Sequence, residues 1–400
     1  MKIGIYGGTF DPPHLGHMQA AKAAMDSLAL DKLLLIPANL PPHKELPEDT
    51  APGKDRLAMT SLVADGLGAK AEALDIELNR EGKSYTADTV EQLRRQYPDD
   101  ELWLLVGTDM FLSIQNWHQP ERIFRQAGVA AFSRDEEDRW ELFEAQSRRL
   151  RETFGTKVTT VPLPKVTEIS STQLREALAG GSADRVAEEH MWLPVYGYIL
   201  KEGLYGSHAD LKHLNTVQLR AVSYSMVKAK RLPHIRGTEV TAVALAVFWG
   251  VNPETARRAA ILHDCTKYLG LEDQLAICRT YGVFLDELEQ MSEKFLHSKT
   301  GAALAQHVFG EPPQVCDAIY CHTTGKPGMN TLDKILYLAD YMEPSRDFDG
   351  VEELRKLVWE DLDRAMIRGL EMTMEELKER EMPVHRNTVL ALEELKGRQK

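Results

Sequence analysis

The chain has 400 residues, 43% of them hydrophobic and 27% charged, with a net charge of -13. That length suggests roughly two or three domains, and the composition is that of a globular protein rather than a fibrous or disordered one. The acidic balance argues against a non-specific nucleic-acid or anionic-membrane surface, since both attract basic patches, but it leaves room for small anionic substrates that need only a local set of donors.

The first residues, KIGIYG, already read as a buried strand, so no leader peptide is expected ahead of them. Further strands are expected at KLLLIPA, ELWLLVG, GVAAFSR and KVTTVPLP, with helices between them such as HMQAAKAAMDSLA and ADTVEQLRRQY. Near-continuous apolar strands alternating with amphipathic helices indicate an α/β, Rossmann-like parallel sheet covered on both faces. DEEDRWELFEAQSRRLRETFG reads as a solvated helix. The alternation ends at PVYGYILKEGLYG, and from about Leu211 onward only helical periodicity continues, as in EVTAVALAVFWG and LDKILYLADYM. The switch predicts two domains, 1–207 and an all-α 208–400, with the boundary near YGSHADLKH. The four cysteines (Cys265, Cys278, Cys316, Cys321) show no C-x-x-C spacing, so neither a zinc knuckle nor a disulfide framework is expected. No apolar run is long enough to cross a bilayer, and the cytoplasm is the expected location.

Chemistry begins at the end of the first strand, in GIYGGTFDPPHLGH. Glycines there let backbone N–H groups approach an anion closely. The loop is neither G-x-G-x-x-G nor a Walker loop, so the dinucleotide and P-loop readings fail. His14 and His17 open the next helix on one face, where two imidazoles can donate to phosphate oxygens as charge builds. A second helix N-terminus occurs in ISSTQLREAL: Ser170 and Gln173 read as a capping box, with Arg175 one turn in. A parallel sheet carrying ligands at the carboxyl ends of its strands could bring the two cradles together.

GGTFDPPHLGH with ISSTQLR resembles the H-x-G-H nucleotidyltransferase superfamily, and PPHK, GKSYTADT, LLVGTDM and NWHQPERI narrow the resemblance to nicotinate-nucleotide adenylyltransferase. The resemblance covers about the first half of the chain. It implies a reaction of ATP with nicotinate mononucleotide, giving deamido-NAD and pyrophosphate. The mononucleotide phosphate is itself the nucleophile, so alignment and charge neutralisation are what the enzyme supplies. The resemblance implies that His14, His17, Ser171 and Arg175 hold the triphosphate, helped by the loop Gly7, Gly8, Thr9, Phe10 and by Ser170 and Thr172. Lys44 would touch phosphate, Trp117 stack on the pyridine ring, backbone around Tyr85 and Thr86 receive the nicotinate carboxylate, and Asp109 meet a ribose hydroxyl. Mg²⁺ would arrive on the ATP. Phosphopantetheine adenylyltransferase is the nearest rival; it usually carries Thr at the place of His14 and lacks the SYTADT set.

In the second half, AAILHDCTK ends an apolar helix on His263 and Asp264, a costly placement unless the pair is ligated or hydrogen-bonded. His234, His297, His322 and Asp340 are embedded in similar apolar helical sequence, and imidazole plus carboxylate suits iron, manganese or zinc rather than calcium. His208, His213 and His307 read as surface residues. The set resembles the HD metallophosphohydrolases, and CHTTGKPGMNTLDKILYLADYMEPSRDFDGV resembles the branch of symmetrical diadenosine-tetraphosphate hydrolases with a di-iron centre. That resemblance implies that His234, His263, Asp264 and Asp340 bind one metal, and that Asp264 bridges to a second held by His297 and His322. Lys267, Thr323, Lys326 and Arg346 would face phosphate oxygens of a dinucleoside polyphosphate. Two further readings stay open for this half: another nucleotide phosphohydrolase, or a non-catalytic nucleotide sensor. Neither nucleic acid nor membrane is expected as a partner, and a homo-oligomer is left open.

Overall fold

Six parallel strands build the sheet of the first half, in the order β3-β2-β1-β4-β5-β6. The computed structural model describes residues 1–40, 46–133, 137–163, 169–180 and 182–398, and it divides by contact into Met1–His208 and Ala209–Lys400. The strands are β1 (Lys2–Gly8), β2 (Lys32–Pro37), β3 (Ala71–Ala73), β4 (Glu101–Val106), β5 (Ala127–Ser133) and β6 (Val158–Pro162). The helices between and after them are α1 (Leu15–Ser27), α2 (Gly53–Leu67), α3 (Thr86–Gln96), α4 (Thr108–Ser113), α5 (Pro120–Phe124), α6 (Glu137–Phe154), α7 (Ser171–Leu178), α8 (Ala183–His190) and α9 (Leu193–Glu202).

The apolar strand runs follow from burial on both faces. Ile3, Ile5, Leu34, Ile36, Leu102, Leu104, Val129 and Ala131 enter one core. Their neighbours Leu33, Leu35, Trp103, Leu105, Ala130 and Phe132 enter the other. This is period-two alternation with no polar face. Ile5 pairs with Leu34 on one side and Leu104 on the other, so β1 is central. The chain winds outward from β1 to β3, crosses back to β4, then winds outward to β6. The order reverses between β1 and β4, where the following loops diverge and leave a crevice for ligands.

One expectation needs correction. The segment taken as a solvated helix is α6, and it buries Phe143 and Leu150 in the first core. Phe143 stacks on Phe111 at 4.4 Å, and Gln146 Nε2 donates to the Phe111 carbonyl at 3.1 Å. Its many charges concealed an apolar stripe at helical spacing.

The second unit is helical throughout its described residues: α10 (Thr216–Ser225), α11 (Leu232–Phe248), α12 (Pro253–Leu262), α13 (Leu271–Tyr281), α14 (Glu293–His307), α15 (Pro313–Cys321), α16 (Thr331–Met342), α17 (Val351–Leu357), α18 (Leu362–Glu379) and α19 (Arg386–Arg398). Side chains of Asn215, Asn252, Asn330 and Asp361 cap α10, α12, α16 and α18, satisfying N–H groups that a helix start leaves free. Helix α11 packs on α12 and α16, and α14 packs on α13 and α15. The four cysteines are free and buried. Among the described residues no helix is long and apolar enough to cross a membrane.

Candidate functional sites

In the first unit, the crevice at the β1/β4 reversal holds a cavity of about 400 Å³ lined by His14, His17, Gly107, Thr108, Asp109 and Phe132 among others. His14 is the N-cap of α1 and His17 lies in its first turn, with ring centroids 3.9 Å apart. The His14 backbone N–H donates to His17 Nδ1 at 3.2 Å. Nδ1 is therefore the acceptor, and the proton of a neutral His17 sits on Nε2. Burial, then the nearby His190, lowers His14 to about 4. Burial, then His14, holds His17 well below its ordinary value. Both rings are neutral donors at pH 7. Gly16 makes this possible: a Cβ there would stand 2.9 Å from His14 Cε1, closer than real contacts allow.

The second cradle is fastened to the first. Ser170 and Gln173 form the reciprocal cap of α7. Ser171 Oγ donates to the Pro12 carbonyl at 3.2 Å, and Thr172 is exposed. Arg175 is 6% exposed; Nη1 donates to the Asp11 carbonyl at 2.8 Å and Nε to Asp49 at 2.8 Å. Asp11 is a hub that sequence reasoning missed. Its buried carboxylate also accepts from Ala51 N–H and Tyr205 Oη. Arg56, also missed, donates from within the core to the Thr9 and Ala38 carbonyls. In the loop itself a Cβ on Gly7 would meet open space, Gly8 lies under the Phe10 ring, and Phe10 takes a left-handed φ of 49°.

Tyr85 is the N-cap of α3, Thr86 its first residue, and the Tyr85 ring lies 4.2 Å from that of His118. Ser84 N–H donates to the Leu40 carbonyl, tying this loop to the segment that enters PPHK. Lys44 lies outside the described residues. Trp117 is half-buried against the core. The cavity thus brings His14, His17 and Asp109 together; Tyr85, Thr86, Trp117 and the α7 residues lie outside its lining.

In the second unit, His234 comes from α11, His263 and Asp264 from the turn after α12, His297 from α14, His322 from the end of α15 and Asp340 from α16. Their ligand atoms form three overlapping groups, each within 4.8 Å: His234, His263 and Asp264; Asp264, His297 and His322; His263, His322 and Asp340. Asp264 is fully buried, and its two oxygens face different histidines. Oδ2 lies 3.4 Å from His263 and 3.8 Å from His234, whereas Oδ1 lies 3.3 Å from His297 and 4.0 Å from His322. Oδ1 makes no hydrogen bond.

The donor set fits metal ions. Nδ1–H of His263 donates to the Ala260 carbonyl and Nδ1–H of His322 to the Ile319 carbonyl, each at 2.7 Å. Nδ1–H of His234 donates to Glu343 at 3.1 Å. Those protons leave the Nε2 lone pairs pointing inward. Yet Nε2 of His234 faces Nε2 of His263 at 3.3 Å, and His297 faces His322 at 3.2 Å. Facing lone pairs repel unless a cation stands beside them, and these spacings suit two nitrogens about 2.0–2.1 Å from one ion. Burial works against charge on Asp264, but His263, His297 and Lys267 outweigh it and hold its carboxyl well below the usual range. Burial likewise opposes charge on Asp340, and His234 and His263 outweigh it. Burial, with a smaller contribution from the neighbouring His297 and His263, holds His322 well below its ordinary value and so keeps its ring neutral.

Around the cluster, Lys267 Nζ lies 3.1 Å from His297 Nε2 and 3.5 Å from Asp264. Arg346 pairs with Asp340 at 3.2 Å. Thr323 donates to Ser298 Oγ, and Lys326 pairs with the buried Asp333 at 3.2 Å. His208, His213 and His307 are exposed. Two partners were missed from sequence. Arg231 lays its guanidinium on Asp264 Oδ2 at 2.5 Å. Glu343 orients His234, and Gly237 makes room for it, since a Cβ at Gly237 would fall on Oε2. The signal for Glu343 was an acid three residues past Asp340, inside the same resemblance.

Residues 5–177 match the cytidylyltransferase-like family and residues 231–345 the HD domain family. A probable nicotinate-nucleotide adenylyltransferase of Shewanella sp. (strain MR-7) is 38% identical over 224 residues, covering 52% of this chain and 100% of that protein. The chain belongs to the nicotinate-nucleotide adenylyltransferase family. Another member, from Dictyoglomus thermophilum, is 37% identical over 205 residues and is also covered in full. A solved Clostridium acetobutylicum protein, described as a predicted HD superfamily hydrolase involved in NAD metabolism, is 36% identical; the match covers 46% of this chain and 98% of that one, with a TM-score of 0.45. The chain therefore joins an adenylyltransferase-family half to an HD domain, and the HD half carries His/Asp groups able to hold divalent metal.

Proposed function

We propose that the chain is a bifunctional enzyme. The first unit transfers the adenylyl group of ATP to nicotinate mononucleotide, releasing pyrophosphate and forming deamido-NAD. The second hydrolyses diadenosine tetraphosphate symmetrically to two ADP at a two-metal site, with iron as the metal. Full-length identity to the adenylyltransferases supports the first reading. His17 Nε2–H and His14 donate to the triphosphate as neutral groups, so they stabilise developing charge without a proton leaving them. Ser171, Arg175 and Lys44 hold the departing pyrophosphate, Asp109 a ribose hydroxyl, and Tyr85, Thr86 and Trp117 the nicotinate end.

The observation that carries the second reading is the division of Asp264, one oxygen toward His234 and His263, the other toward His297 and His322. Two ions held there would polarise phosphate oxygens and ease deprotonation of water. Asp264 would be shared between them, Asp340 would complete the first ligand set, and Lys267, Arg231 and Arg346 would meet phosphate charge. A sensor reading has one observation in its favour: Arg231 already neutralises Asp264 without a metal. One panel decides. Full-length protein is given ATP with nicotinate or nicotinamide mononucleotide, and separately diadenosine tetraphosphate with iron or manganese. Deamido-NAD from the acid substrate and two ADP from the dinucleotide are expected. AMP plus ATP would sink the symmetrical assignment, and bound metal without turnover would favour the sensor.

A further inference from the structure

Two turns supply cations to the metal cluster, and in each the residue next to that cation is exposed. The turn after α12 sends His263 and Asp264 inward and sets Lys267 beside His297; its next residue is Tyr268, 40% exposed although residues 259–266 are all buried. The 3₁₀ turn Ala229–Arg231 sends Arg231 to Asp264, and its Lys230 reaches back over the Tyr268 ring at 5.9 Å. Single exposed aromatics on a surface need no explanation. This one is different because Tyr268 and Lys230 are each the chain neighbour of a cation on the cluster, Lys267 and Arg231. Lys230 lies at the outer limit of a cation–π contact with this ring and so is weakly held.

We propose that Tyr268, with Lys230, forms a nucleobase subsite at the rim of the metal cluster. A purine stacks on the phenol face in place of the ammonium, since base–aromatic stacking outweighs so distant a cation–π contact. Lys230 turns to the nearest phosphate, and the phosphate chain runs inward past Lys267 and Arg231 toward Asp264. The inference rests on the reading of the second unit as a nucleotide-handling site and names what selects a nucleoside over a bare polyphosphate.

The test uses the full-length, manganese-loaded protein and azidoadenosine diphosphate as a photoaffinity probe, so that peptide mapping separates the second unit from the ATP site of the first. Label is expected in the peptide containing Tyr268, competed by ADP and lost in Tyr268→Ala but kept in Tyr268→Phe. In steady state, Tyr268→Ala should raise KM for diadenosine tetraphosphate about tenfold with a smaller change in kcat, at unchanged metal content. Tyr268→Leu serves if the alanine variant fails to fold. Label confined to the first half, or unchanged by the substitution, overturns the subsite even if the dinucleotide is hydrolysed. Label at Tyr268 without dinucleotide hydrolysis keeps the subsite and removes the proposed substrate.

Discussion

The two units use histidine in opposite ways, and the backbone decides which. In the first, His17 Nδ1 meets a backbone N–H, so the ring presents an N–H outward. In the second, Nδ1 of His263 and His322 meets backbone carbonyls, so the rings present lone pairs inward. The first arrangement suits an anion and the second a cation. The carboxylates follow the same division. His14 and His17 face each other directly, ring centroids 3.9 Å apart, whereas the second cluster is built around the buried Asp264. Residue type alone does not distinguish a phosphate donor from a metal ligand; the group that meets the far nitrogen does.

The largest break in this contrast is Asp264→Ala. It removes the carboxylate shared by two groups, so metal should be lost and phosphohydrolase activity fall to background, while deamido-NAD formation is unchanged. His297→Ala should instead keep about one ion per chain, because the other histidine pair stays intact. Metal analysis of the purified variants with nucleotide chromatography checks both, and full occupancy in Asp264→Ala would remove the bridge.

His17→Ala is the mirror experiment. Losing one donor to developing charge should cost about 2.7–4 kcal/mol, or roughly a hundredfold to a thousandfold in adenylyl transfer. Metal content should stay at the parent level. Near-normal turnover would show that His17 is not a donor to the reacting phosphates.

A smaller effect is expected one shell out. Glu343→Gln keeps the size of the group that orients His234 but lowers the basicity it lends the ring. Metal affinity should fall roughly tenfold to a hundredfold, read by chelator competition. An unchanged affinity would mean that packing alone orients His234.

The smallest expected effect is a flat line. With His14 lowered to about 4 and His17 held well below its ordinary value by burial, neither ring takes up a proton between pH 8 and pH 6. A lowered pKa keeps a histidine neutral until the pH falls through that value, so kcat for adenylyl transfer should show no histidine-like break in this range. A break near 6.5 that disappears in His14→Ala would show the ring titrating at its ordinary value.

Much of the architecture was legible because it is local. Apolar runs of strand length between amphipathic helices announced a sheet buried on both faces, and their disappearance after about Leu211 announced a helical second half. Helix α6 escaped because charged residues outnumber the few positions that face the core. GGTFDPPHLGH and the HD dipeptide stood out because glycines, paired imidazoles and an acid at an apolar helix end are costly or rare without a task.

Charge–carbonyl and charge–charge contacts between distant segments were not legible. Arg56 beneath the Thr9 loop, Asp11 as the hub for Arg175 and Tyr205, and Arg231 on Asp264 join residues 18 to 194 positions apart, or 33 in the last case. Sequence by itself determined the elements, because period and propensity act within a few residues. It also supplied the chemical inventory, because imidazole and carboxylate are properties of side chains. The partners that orient His17, His263 and His322 are local too, each three residues back in its own turn. The tertiary structure decided which oxygen of Asp264 faces which histidine pair and set Glu343 on His234, because those groups are delivered by other helices and no local pattern encodes where the helices cross.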